Sequence, residues 1–173
     1  MKQEYVNEKL QYITAHHPSY ESLNNKIVDQ TYEFVWGLQN TDGGISNVRA
    51  GKTGGNLKTR EADIIRQWII SLVSDGYVGY GKFMLTAWLT KYKVGDYTIP
   101  HDHRPATFSF VYFVKTPKGS SPLIFTNSGK RIKAEEGKIV IFPGRLLHHV
   151  PKNKCEGRMT LAGNGFFADN DAF

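Results

Sequence analysis

Two hydrophobic periods divide the chain. In READIIRQWIISLVSDG (residues 60–76), Ile64, Ile65, Trp68, Ile69, Leu72 and Val73 recur at helical spacing. Thr59 offers a capping hydroxyl before this run and Gly76 a stop after it, so it predicts a helix that lays one apolar face on a sheet. From residue 82 onward the period becomes two. KFMLTAWLTKYKV, TFSFVYFVKT, PLIFTN, KRIKAE, KIVIFP, HHVPK and RMTLAGNGFF read as strands, parted by the turn signals TPKGSS, NSGK and EEGK. Short strands at such intervals predict an all-β sandwich or barrel, with the N-terminal half supplying helices to cover one face. Residues 4–14 and 20–38 are expected to carry short helices, although TYEFVWGL (residues 31–38) reads equally as a strand. The glycine-rich run at residues 40–57 is expected to be a long loop, a candidate lid or an ordinary connection. No linker separates the two textures, so residues 1–173 are expected to form a single domain. Its helical and loop part spans 1–80 and its β core 81–168.

Composition narrows the setting. A chain of 173 residues with 40% hydrophobic and 22% charged residues has material for one real core and needs no disulfide staple. The lone Cys155 rules out an intrachain disulfide and fits a reducing compartment. The first residues lack the apolar core of a signal peptide, and no window approaches the ~18 apolar residues of a membrane span. A cytoplasmic protein without a membrane role is expected. The net charge of +6 favours anionic partners, yet the basic residues are scattered, which argues against a dedicated nucleic-acid surface.

The candidate chemistry lies in the β half. GDYTIPHDHRPATFSFVYF (residues 95–113) puts His101 and His103 two apart at the mouth of a strand. Side chains at i and i+2 on a strand point the same way, so these imidazoles share a face and Asp102 takes the other. The bland alternative is a pair of exposed loop histidines after Pro100. EGKIVIFPGRLLHHVPKN (residues 136–153) carries His148 and His149. Neighbours on a strand alternate, so one of the two faces the same side as the first pair. A third imidazole from a distant strand completes a facial ligand set with open positions, suited to Fe(II), Zn or Mn. Asp102 would join it only if the strand bulged. Arg158 follows ten residues after His148, with Thr160 two further along on the same face. A buried guanidinium beside a hydroxyl holds a carboxylate in a fork, whereas a surface one would pair with Glu135, Glu136 or Glu156.

Taken together, WLTKYKVGDYTIPHDH, FSFVYFVKTPKGSSPLIF, EGKIVIFPGRLLHHVPKN and RMTLAGNGFF resemble the Fe(II)- and 2-oxoglutarate-dependent oxygenases, in particular the small prolyl-hydroxylase-like members of bacteria and phages. The resemblance covers residues 88–167, with a weaker echo in ISNVRAGKTGG (residues 45–55). It implies a mainly β fold, a double-stranded β-helix (jelly-roll, cupin-like) core with N-terminal helices packed on one sheet. It also implies iron bound by His101, His103 and His148, with Arg158 and Thr160 on the distal carboxylate of 2-oxoglutarate. Tyr92 and Asn164, and further Thr90 and Tyr112, are implied as additional polar contacts to 2-oxoglutarate. The implied reaction consumes O2 and 2-oxoglutarate, with ascorbate as an optional reductant, and hydroxylates a prolyl or other amino-acid side chain in a peptide, protein or small molecule. One departure is plain: His103 stands where the family motif has Asp or Glu, which leaves the metal centre more positive by one charge.

Two rival readings remain. GDYTIPHDH fits the opening of a cupin motif, but Thr107 and Phe108 stand where the cupin glutamate belongs, and Arg145 interrupts the second motif. A cupin enzyme would not use 2-oxoglutarate and leaves Arg158 unexplained. A non-catalytic β-helix binding protein would hold no stoichiometric metal. Exposed aromatics on strands permit a homodimer.

Overall fold

The run FSFVYFVK is apolar at almost every position, so a strand built from it needs cover on both faces. In the computed structural model, which describes residues 10–31, 46–74 and 82–168, that run is a central strand with helices on one face and a second sheet on the other. The elements in chain order are β1 (Ile13–His16), α1 (Tyr20–Gln30), β2 (Val48–Arg49), β3 (Gly51–Lys52), α2 (Arg60–Ser74), β4 (Lys82–Tyr92), β5 (Tyr97–His101), β6 (Phe108–Lys115), β7 (Leu123–Phe125), β8 (Lys130–Ile132), β9 (Lys138–Pro143), β10 (His148–Val150) and β11 (Arg158–Ala168). They form two antiparallel sheets, ordered β1-β9-β6-β11-β4-β3 and β2-β5-β10-β7-β8. This is the expected jelly-roll core.

Strand alternation sorts the side chains of the larger sheet into two layers. Phe108, Phe110 and Tyr112 of β6, Leu89 of β4, Ile139 and Ile141 of β9 and Leu161 of β11 face the helices, where they meet Leu23 and Ile27 of α1 and Ile65, Ile69 and Val73 of α2. Their neighbours Val111, Phe113, Tyr92, Val140 and Phe142 point the other way, onto Leu123, Phe125 and Val150 of the smaller sheet. Burying Ile65 and Ile69 completely contributes roughly 1.5–3 kcal/mol each. Thr59 caps α2 as expected, accepting the Ala62 amide at 3.2 Å. Ile64 departs from the predicted apolar face and stands 39% exposed. Gly76 lies outside the described residues.

The N-terminal half contributes more than helices. Of the helix expected over residues 4–14, the described part runs into β1 instead, with Ile13 paired to Ile141 and Ala15 to Ile139. An edge strand gains a full hydrogen-bond ladder there, which outweighs the weak helical preference of so short a run. α1 agrees with the second expected helix over residues 20–30, while all but the first residue of TYEFVWGL lies outside the described residues. The described part of the glycine-rich run is not a free loop. β2 pairs with β5 and β3 with β4, so it adds an edge strand to each sheet.

Candidate metal centre

The space between the sheets narrows around three imidazoles. His101 closes β5 and His148 opens β10, and the two are direct cross-strand partners. The ladder shifts register beside them: His148 pairs with His101, but Val150 pairs with Thr98. Two steps on β10 thus oppose three on β5, a one-residue bulge. The bulge turns Thr98 and His101 to the same inward side. His103 lies just past the strand end, where its amide donates to the Gly144 carbonyl at 2.8 Å and its own carbonyl accepts from the Ala106 amide at 2.8 Å.

The three rings form one cluster. Their centroids are 4.7 Å (His101–His103), 4.4 Å (His101–His148) and 5.1 Å (His103–His148) apart. One nitrogen from each lies within 4.8 Å of the others, the only such group of three or more metal-binding side chains among the described residues. Backbone carbonyls fix two of the tautomers. His101 Nδ1 is 2.8 Å from the Ile99 oxygen, and His148 Nδ1 is 2.8 Å from the Leu146 oxygen. A carbonyl only accepts, so each Nδ1 carries the proton and each Nε2 offers its lone pair, the usual arrangement for a metal-ligating histidine. Burial is the main cause that drives His148 down to about 3 and His103 down to about 4, and it also lowers His101. All three are therefore neutral at pH 7 and ready to coordinate.

The neighbouring alternatives point elsewhere. Asp102 faces outward, as the alternation predicted, and is held by Arg104 through an ion pair at 2.8 Å and a backbone bond at 3.1 Å. His149 turns to the other face of β10, where its Nδ1 lies 2.8 Å from Thr126 Oγ1.

Arg158 begins β11 in the same cavity. Its side chain is completely buried, Nε donates to the Ser121 carbonyl at 2.9 Å, and Nη1 and Nη2 have no hydrogen-bond partner. Its guanidinium lies 4.5 Å from the Tyr92 ring centroid and 5.6 Å from that of Phe113. None of Glu135, Glu136 and Glu156, the possible surface partners, reaches it. Burial pulls the guanidinium down from its ordinary range, yet a guanidinium keeps its proton in proteins. Two N–H-bearing groups of a buried cation without acceptors are costly unless a ligand supplies them.

The other candidates divide. Thr160, Thr90 and Tyr92 line the cavity together with Thr98, Trp88 and the three histidines. The Tyr92 hydroxyl is engaged with Thr98 Oγ1 at 2.8 Å. Asn164 sits further along the inward row of β11, and its Oδ1 accepts from Ser109 Oγ at 2.9 Å, with Ser109 rather than Asn164 forming the wall. Tyr112 is excluded from the site. It points to the helix side, where its hydroxyl donates to Asn24 Oδ1 at 2.8 Å. Both faces of β6 are apolar, so its sequence does not reveal which residues face inward. Three contributors had no signal in the sequence: the Ser121 carbonyl, Thr98, and Gly144. A Cβ on Gly144 would stand 2.1 Å from the Ala106 carbonyl oxygen, so only glycine lets the His103 loop pack this closely.

No protein-family model matches the chain, and no curated protein matches it in sequence. Solved structures do match. A collagen prolyl hydroxylase from Paramecium Bursaria Chlorella virus-1, in complex with 2-oxoglutarate, is similar at TM-score 0.68 and 13% identity over 89% of this chain and 94% of that one. A prolyl hydroxylase from Trichoplax adhaerens, in complex with a hypoxia-inducible-factor degradation-domain peptide, matches at TM-score 0.66 and 15% identity over 88% and 82%. A 2OG-Fe(II) oxygenase family oxidoreductase from Burkholderia pseudomallei matches at TM-score 0.66 and 9% identity over 88% and 84%. The chain has the fold of the prolyl hydroxylases and 2OG-Fe(II) oxygenases.

Proposed function

We propose that this protein is an Fe(II)- and 2-oxoglutarate-dependent hydroxylase acting on a prolyl or other amino-acid side chain. The observation that carries the reading is the Arg158 fork, buried and without acceptors, in the same cavity as three neutral imidazoles. The fit lies in the chemistry of the donors. Three histidines suit a borderline divalent ion with open positions, and a buried guanidinium suits a carboxylate. When bound, iron and 2-oxoglutarate would supply the oxidising power: 2-oxoglutarate would lose carbon dioxide and take one atom of O2 to become succinate, and the other atom would enter the product.

On this reading the residues of the site divide the work. His101, His103 and His148 hold the ion, and the Ile99 and Leu146 carbonyls keep two of them aimed. Arg158 receives the distal carboxylate, with Thr160 beside it as hydroxyl donor. The Tyr92 ring supports the guanidinium plane. Phe142, Val111 and Leu123 wall the cavity with apolar surface, which excludes water and strengthens the charge pairing inside. A peptide substrate is supported by the prolyl hydroxylase neighbours. The cupin alternative leaves the Arg158 fork without employment, and no helix among the described residues is long and apolar enough to cross a membrane.

The test is anaerobic. Fe(II) is added to the protein, then 2-oxoglutarate, and the visible metal-to-ligand charge-transfer band is followed. A band that Arg158→Ala removes supports the reading. Stoichiometric iron without a band overturns it in favour of a cupin-type centre, and no bound metal overturns both.

A further inference from the structure

The charges around the cavity do not balance. No aspartate or glutamate is among the described residues that line it. His103 fills the position where a carboxylate would offset the ion, and Asp102 is committed to Arg104 outside. Arg158 adds one positive charge. Lys52 adds another: it lies on β3 opposite Thr90, a wall residue of the cavity, and cross-strand partners share a face. Its Nζ lies 4.4 Å from the ring centroid of Trp88, the wall residue whose ring is 6.1 Å from that of His103. Among the described residues Lys52 meets no carboxylate, and burial lowers it from the ordinary lysine range. A divalent ion, Arg158 and Lys52 together carry four positive charges, and the 2-oxoglutarate dianion answers only two. A half-buried ammonium on an aromatic face beside such a centre is a ready anion receptor.

We propose that Lys52, seated on Trp88, is a specificity-determining residue that receives a carboxylate of the substrate, so that the enzyme acts on a free or carboxy-terminal amino acid rather than on an internal residue of a neutral peptide. This inference rests on the hydroxylase reading above. The ammonium pairs with the carboxylate, and the Trp88 ring holds it on the His103 side of the cavity. Edge strand β3 thereby becomes part of the substrate site.

Two matched probes test it on the Fe(II)- and 2-oxoglutarate-loaded protein without oxygen: N-acetyl-L-proline, which is anionic, and N-acetyl-L-prolinamide, which is neutral. Calorimetric titration is expected to give about tenfold or greater preference for the anion, weakening as salt rises. Lys52→Met, which removes the charge but keeps an unbranched side chain of similar reach, is expected to erase the preference, and Lys52→Arg to retain it. The charge-transfer band of each variant checks that its metal and 2-oxoglutarate site is intact. Equal binding of the two probes, binding of neither, or a preference that survives Lys52→Met overturns the proposal. If the band itself fails in the unsubstituted protein, the hydroxylase reading falls with it. A band with no probe preference removes the Lys52 role alone.

Discussion

Replacing Arg158 with methionine separates a ligand-binding arginine from a structural one, because the two roles predict opposite balances. In the unliganded protein the substitution loses the bond to the Ser121 carbonyl, worth about 1.5–3 kcal/mol for a charged donor, and the contact with the Tyr92 ring, worth about 0.5–2 kcal/mol. It gains relief from burying Nη1 and Nη2 without acceptors, at about 1–3 kcal/mol for each group. These nearly cancel, so the unfolding free energy of the unliganded protein is expected to change by no more than about 1 kcal/mol. Affinity for 2-oxoglutarate does not cancel. A carboxylate entering the cavity without its fork is desolvated and unpaired, and the loss is about 3 kcal/mol, roughly 140-fold in Kd. Urea unfolding measures the first quantity, and titration of 2-oxoglutarate into the Fe(II) protein measures the second. A variant destabilised by more than about 3 kcal/mol whose 2-oxoglutarate affinity is unchanged would refute the reasoning, because the guanidinium would then be a satisfied structural group.

Other substitutions probe the rest of the site. His148→Ala is expected to abolish stoichiometric metal binding, whereas His149→Ala, whose ring faces Thr126, should leave the Kd for Zn(II) within about twofold; equal loss in both would contradict the assigned ligand. Gly144→Ala drives a methyl group into the Ala106 carbonyl and should displace the His103 loop, lowering Zn(II) affinity about 10–100-fold. Unchanged affinity would mean that the loop tolerates the shift. Tyr112→Phe leaves Asn24 Oδ1 without its donor and should cost about 1–3 kcal/mol in urea unfolding, with 2-oxoglutarate binding untouched. A change in that binding would return Tyr112 to the site.

The elements with strong local periods were legible. Ile65, Ile69 and Val73 define the buried stripe of α2 from spacing alone, and the i, i+2 rule set His101 and His103 together and Asp102 apart. What stayed hidden depended on partners distant in sequence. β1 exists because β9 offers it an edge, and nothing in its four residues announces that. The bulge that brings Thr98 and His101 to one side is a register event, visible only when β5 and β10 are laid together. The same limit separates Tyr92 from Tyr112. Both are strand tyrosines, but one lies under Arg158 and the other under α1, and the choice is set by the layer each face meets.

The three imidazoles are not mounted alike. His101 and His148 are locked to each other by strand pairing and to their own backbones by Nδ1 bonds, so their nitrogens are in place before any ion arrives. His103 is mounted on a turn past the end of β5, tied through its backbone to Gly144 and Ala106. The centre thus combines two donors set by a strand ladder with a third set by loop packing, where Thr107 also donates to the Gly165 carbonyl and accepts from the Gly144 amide. A bound ion would tie that packed loop to the smaller sheet, so the position of His103 depends on Ala106 and Gly144 rather than on strand register.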